Sequence, residues 1–139
     1  MAVRNSMKVY GAVDLYSGRF LYHFDSVFNA GTYITYLEQV VRRYCPKKAF
    51  LIFDNARYHK TPEVQDWIND ERKYLKPYYL PAYSPELNAM ERLWHHTRMN
   101  GTHNRFFNSE EALYAVLVSN FRSIQHNPTQ ILGYLKPFQ

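Results

Sequence analysis

A single cysteine, Cys45, in 139 residues excludes an internal disulfide framework and any cysteine-rich zinc centre, the usage expected of a reducing compartment. No apolar stretch approaches the roughly 20 residues that a bilayer-spanning helix needs. The first ten residues, Met1 to Tyr10, also lack the apolar core of a signal peptide. No membrane partner and a cytoplasmic location are therefore expected. Internal repeats, low-complexity segments and dividing linkers are absent too, so residues 1–139 read as one domain. Acidic residues are the minority charge, 12 against 17 Lys and Arg, and the net charge of +5 favours a polyanionic partner without identifying it. What is present is enough apolar residue to bury a core, 46%, with 13 Tyr and 9 Phe. Those rings suit base stacking, although aromatic residues more often fill cores.

The segment Lys8 to Phe24 is rich in Val, Tyr and Phe and is broken by Ser17-Gly18, a tight-turn pair, which predicts a β-hairpin. Ile34, Leu37, Val40, Val41 and Tyr44 recur at helical spacing between Thr32, a candidate cap, and Pro46. Ala49 to Phe53 is a short continuous apolar run, the pattern of a strand covered on both faces, and it stops at Asp54. Thr61-Pro62 supplies a cap and a first-turn proline for a helix with Val64, Trp67 and Ile68 inside. A short strand near Tyr78 to Leu80 should follow. Ser84-Pro85 repeats the cap-plus-proline signal for a helix carrying Leu87, Met90, Leu93 and Trp94. Ser109-Glu110-Glu111 opens another, with Leu113, Val116, Leu117 and Phe121. Asn100 to Asn108 reads as a polar surface loop, and the tail after Pro128 as a short helix. Strands preceding helices argue for an α/β layer architecture.

Two segments place a carboxylate where chemistry could use it. Asp54 ends an inner strand, where side chains converge on the crevice beyond the strand's carboxyl end. Glu91 lies about two turns into the expected helix, on a stripe with Asn88 and His95. Phosphodiester chemistry with Mg²⁺ or Mn²⁺ asks for hard oxygen ligands, and paired carboxylates meet that preference. Each residue also has a plainer role: an Asp after a strand is often a turn former, and a helical Glu near Arg92 is often a solvated face.

The motifs in sequence order are Asp54-Asn55-Ala56, His59, Leu80-Pro81, Tyr83-Ser84-Pro85, Leu87-Asn88, Glu91 and Trp94. This string resembles the core of the DDE-superfamily transposases, in their mariner-like bacterial insertion-sequence branch. There an apolar strand runs into Asp-Asn-Ala with a nearby His, followed by Leu-Pro-x-Tyr-Ser-Pro-x-Leu-Asn-Pro-x-Glu and a Trp three residues on. Thirty-six residues separate Asp54 from Glu91, within the family's range between its second and third acids. Ala89 stands where the family usually has proline, and His95-His96 follow Trp94 where a basic residue is common.

The resemblance implies an RNase H-like fold and metal-dependent cleavage and strand transfer on double-stranded DNA, with Asp54 and Glu91 as catalytic acids and metal ligands. It places the first acid on a strand preceding the hairpin, and this chain starts too late to contain it, so feeble or no cleavage by these residues alone is expected. Asp14 is the one acid near that region, and a turn-adjacent hydrogen-bonding role suits it better than metal ligation. Asn55, His59, Asn88 and His95 are auxiliary candidates around the metals, with His96 beside them. Arg57, Lys60, Arg92, Arg98 and Arg105 flank the acidic segments and are candidates for phosphate neutralisation. An unpaired sheet edge would favour a homodimer, and DNA binding would carry a cytoplasmic bacterial protein to the nucleoid. A rival reading keeps the motifs as inheritance in a non-catalytic DNA-binding or dimerising remnant.

Overall fold

The hairpin expected near the start does form. In the computed structural model, which describes residues 7–53, 57–80, 88–102 and 107–135 (of Arg57 and Tyr58 the backbone only), β1 (Lys8–Val13) pairs with β2 (Phe20–Asp25). Asp14 N–H donates to the Arg19 carbonyl at 2.8 Å, and Gly18 N–H to the Asp14 carbonyl at 2.9 Å. Gly18 holds φ at 74°, a left-handed value that costs a residue with a Cβ about 1 kcal/mol or more. A Cβ there would also come within 2.5 Å of the Pro128 carbonyl oxygen.

Contacts divide the chain into two compact units, Met1–Phe24 with Ala89–Gln139, and Asp25–Asn88. In the first, alternation along β2 puts Phe20, Tyr22 and Phe24 on one face. Their ring centroids lie 5.4, 4.9 and 5.8 Å from that of Phe121. Phe121 belongs to α4 (Glu110–His126), which starts where Ser109 Oγ accepts from Ala112 N–H at 3.1 Å. The acidic pair Glu110-Glu111 complements the partial positive charge of its first turn. Leu93, Leu113, Leu117, Ile124, Ile131 and Leu135 complete this core. They come from α3 (Ala89–Thr97), α4 and α5 (Pro128–Leu135), the last being the short helix expected after Pro128. The loop expected at 100–108 is corrected in its first part. Arg98–Thr102 form a π-helical turn continuing α3, with Gly101 buried against Val116 and Asn120 while Arg98, Met99 and Asn100 stay exposed.

The second unit holds α1 (Ala30–Tyr44), β3 (Ala49–Phe53), α2 (Pro62–Asp70) and β4 (Leu75–Tyr79). β3 and β4 run parallel in register from Ala49↔Leu75 to Phe53↔Tyr79, and Pro77 marks β4 as an edge strand because proline offers no ladder N–H. Thr61 caps α2, as its Thr-Pro signal predicts. The cap of α1 is Asn29, not Thr32. Asn29 Oδ1 accepts from Thr32 N–H at 2.9 Å while Thr32 Oγ1 accepts from Asn29 N–H at 3.2 Å, so the two close a reciprocal box. Tyr33, Tyr36, Leu37 and Val40 point inward, while Ile34 and Val41 sit at the margin.

Two strand readings also change. β4 begins at Leu75, three residues before the expected Tyr78. β3 is not covered on both faces among the described residues: Phe50 is 65% exposed and Ile52 50%, because α1 touches β3 from one side only and α2 stands against β4.

Gly11 of β1 makes a close approach to α3 in the first unit. A Cβ on it would lie 2.7 Å from Trp94 Cη2 and 2.9 Å from Met90 Cε. Gly11→Ala should therefore displace the indole of α3 and lower stability by about 1–3 kcal/mol. Urea unfolding measures it, and an unchanged midpoint would mean that Trp94 does not seat on the strand.

Candidate active site

The acid at position 91 is delivered by burying its neighbours. Met90, Leu93 and Thr97 form the inner face of α3, and the intervening Glu91 is exposed beside the exposed Arg92. The helix begins at Ala89, with Asn88 outside it and half-buried. Glu91 thus lies in the first turn rather than two turns in, where the unsatisfied N–H groups of the helix start favour a negative charge. Ser84, Pro85 and Leu87, on which the earlier start rested, lie outside the described residues. The helical stripe loses Asn88 accordingly, while His95, four residues on, stays exposed on the side of Glu91.

The other acidic segment is fixed at both ends. Asp54, Asn55 and Ala56 lie outside the described residues. On their near side the Phe53 ring is buried, and the Phe53 carbonyl accepts from Leu80 N–H at 2.8 Å. On their far side a 3-10 turn, Arg57–Lys60, carries His59, whose ring is 6% exposed and stacks on Tyr33 at 4.2 Å and 25°. Phe53 meets the same imidazole at 5.6 Å. Tyr79 closes the arrangement: its hydroxyl donates to the His59 carbonyl at 3.3 Å and accepts from Gln65 Nε2 at 3.2 Å. Lys60 Nζ sits 5.1 Å from the Tyr79 ring, within cation–π reach. Three residues are therefore strung between two packed anchors. Sequence reasoning missed Tyr33 and Tyr79 here. The signal for Tyr79 was available, since a strand parallel to β3 and in register places it opposite Phe53.

The remaining candidates separate by environment. Asp14 Oδ1 accepts from Tyr16 N–H at 2.8 Å and Ser17 N–H at 3.0 Å, which ties the carboxylate into the hairpin turn. Lys60, Arg92 and Arg98 are exposed. Arg105 and the Arg57 side chain lie outside the described residues. His96 is half-buried: its ring lies 5.2 Å from that of Tyr134, and Nδ1 is 3.3 Å from Asn100 Nδ2. Burial lowers the His96 pKa from its usual range. Among the described residues no cluster of three or more His, Cys, Asp or Glu side chains could hold a metal ion. Among the same residues no helix is long and apolar enough to cross a membrane.

Comparison with known proteins identifies the family and the fold. Residues 2–114 match the family model of the DDE superfamily endonucleases. Over 67 residues the chain is 36% identical to the insertion element IS630 uncharacterized 39 kDa protein of Shigella sonnei, a match spanning 48% of this chain and 19% of that protein. It is 30% identical over 85 residues to the uncharacterized protein y4pE/y4sA of Sinorhizobium fredii, covering 61% of this chain and 59% of the relative. The chain thus spans only part of the curated relatives it matches. Among solved structures, the catalytic domain of Mos1 mariner transposase superposes with a TM-score of 0.66 at 17% identity, over 94% of this chain and 71% of that one. The fold is therefore RNase H-like.

The neutral state of His96 gives a pH signature. Its folded pKa lies below the unfolded one, so the unfolded chain binds the extra proton more readily. Stability should be full above about pH 6.5 and fall as the solution is acidified below it. Thermal melts at pH 7.5 and 5.5 measure this. His96→Gln should flatten the difference, and an unchanged pH response in the variant would contradict the assignment.

Proposed function

Because the chain belongs to the DDE superfamily of endonucleases, we propose that Asp54 and Glu91 together hold a divalent cation, Mg²⁺ or Mn²⁺, for in-line displacement at a DNA phosphodiester. The observation that carries this reading is the presentation of Glu91, an exposed carboxylate in the first turn of a helix otherwise anchored by buried Leu93 and half-buried Trp94. The donor set fits the group in kind, since both acids offer the hard oxygens that such cations prefer. When bound, the cation would polarise the scissile phosphate and lower the cost of generating the attacking oxygen.

The chain's own residues supply position. Leu93, with no exposed surface, and the Trp94 indole fix the rotation of α3 and so the direction of the Glu91 carboxylate. Phe53 and His59 hold the two ends of the short segment that carries Asp54 and Asn55. Asn55 and His95 are read as auxiliary groups beside the acids, and Asn88 as the residue that sets the helix start. Exposed Lys60, Arg92 and Arg98, with Arg57 and Arg105, would neutralise phosphates of double-stranded DNA and make affinity fall with salt. Whole-protein chemistry on this reading is cleavage and strand transfer at an element end, with residues 1–139 as part of one catalytic domain.

Calorimetric titration with Mn²⁺ tests the site directly. The chain should bind the ion, and Asp54→Asn and Glu91→Gln should each weaken binding by about 10-fold or more. Circular dichroism would verify that both variants fold. Undiminished binding in both folded variants would remove the metal-site reading.

A further inference from the structure

The β3–β4 pair leaves one face open, and its composition is unusual for a surface. Side chains alternate across a strand, so Phe50 and Ile52 of β3 share a face with Lys76 and Tyr78 of β4, where the register sets Phe50 opposite Lys76 and Ile52 opposite Tyr78. Phe50 is 65% exposed, and Ile52 and Tyr78 are each 50% exposed. The Phe50 and Tyr78 rings are diagonal neighbours, their centroids 6.3 Å apart and their planes only 33° from parallel. Lys76 Nζ lies 5.9 Å from the Tyr78 ring centroid, so a cation accompanies the aromatic pair.

The charge beside this face is mainly positive. Parallel strands begin at the same end, and here α1 also ends: Ala49 N–H donates to the Tyr74 carbonyl at 2.9 Å, which ties the two strand starts together. That end collects the exposed Arg42, Arg43, Lys47, Lys48 and Lys73, with Lys76 one step along β4, against Asp70 and Glu71 among the described residues. It is the end of β3 away from Phe53, a strand's length from the residue that precedes Asp54. A polar duplex groove would ask for donors and not for open rings. Flat exposed rings flanked by lysines match unpaired bases on a charged backbone, because any base offers a π face and the phosphates are drawn by the cations.

We propose that this face, Phe50, Ile52, Lys76 and Tyr78 with the basic strand-start end beside it, is a stacking platform for single-stranded DNA. It is separate from the metal site and does not depend on it. Bases stack on Phe50 and Tyr78, and phosphates run toward Lys47, Lys48 and Lys73.

Fluorescence anisotropy of a labelled oligo(dT) of about 12 nucleotides, read in EDTA so that the metal site takes no part, tests the platform. The 139-residue chain should bind it with affinity that falls steeply with salt. Phe50→Leu and Tyr78→Leu keep an apolar side chain but no ring, and each should weaken binding roughly tenfold. Lys47→Ala and Lys48→Ala should each reduce the slope of log affinity against log salt by about 0.7. Asp54→Asn should leave oligo(dT) binding unchanged, which separates this result from the fate of the metal site. Equal binding by both leucine variants, shown folded by circular dichroism, would overturn the proposal. So would tighter binding to oligo(rU), or to a duplex of the same length. Sedimentation showing the face occupied by a second copy that oligo(dT) does not displace would overturn it as well.

Discussion

The close approach of Gly11 to Trp94 governs what α3 can present. A strand residue without a side chain lets the indole lie against β1, and the same ring meets Phe20 at 6.1 Å and Phe121 at 6.0 Å. The helix cannot rotate without opening that stack, so burial of Met90, Leu93 and Thr97 on one side keeps Glu91 in water on the other. The orientation of an exposed acid is thereby set by a buried aromatic contact three residues away. Packing energetics make this an effective lever, because interiors tolerate few voids and few misplaced rings.

The second unit uses the same logic with different parts. Parallel pairing fixes where β3 ends, and the His59 imidazole stacked on Tyr33 fixes where the chain resumes. The buried His59 ring packs on Tyr33 and Phe53, and its backbone carbonyl accepts from the Tyr79 hydroxyl. The candidate acids thus share a design: each is carried next to a side chain that is deeply buried, Phe53 for one and Leu93 for the other.

Much of this was legible from the residues. Ser17-Gly18, Thr61-Pro62 and Ser109-Glu110-Glu111 act through local backbone chemistry, and the turn and both caps form where those pairs stand. Family membership was legible as well, through the string from Asp54 to Trp94. What local pattern could not supply was tertiary. Asn29 rather than Thr32 caps α1, with Thr32 as the other half of the reciprocal box, and the burial of Tyr33 and Tyr36 is set by what packs on the helix. The apolar run at 49–53 cannot say which of its faces finds a partner, so the exposed Phe50 and Ile52 were hidden in it. Asn100 to Thr102 look polar, yet a buried glycine lets the π turn pack on α4.

The central proposal is that the acid after β3 and the acid in the first turn of α3 would serve one cation. Replacing the cation with Fe²⁺ and adding ascorbate and peroxide generates short-lived radicals that cut the backbone beside the ion, so mass spectrometry of the fragments reads which segments flank it. The account predicts cuts next to both Asp54 and Glu91, lost together when excess Mg²⁺ competes. Cuts beside one acid alone, with the other segment intact, would contradict it.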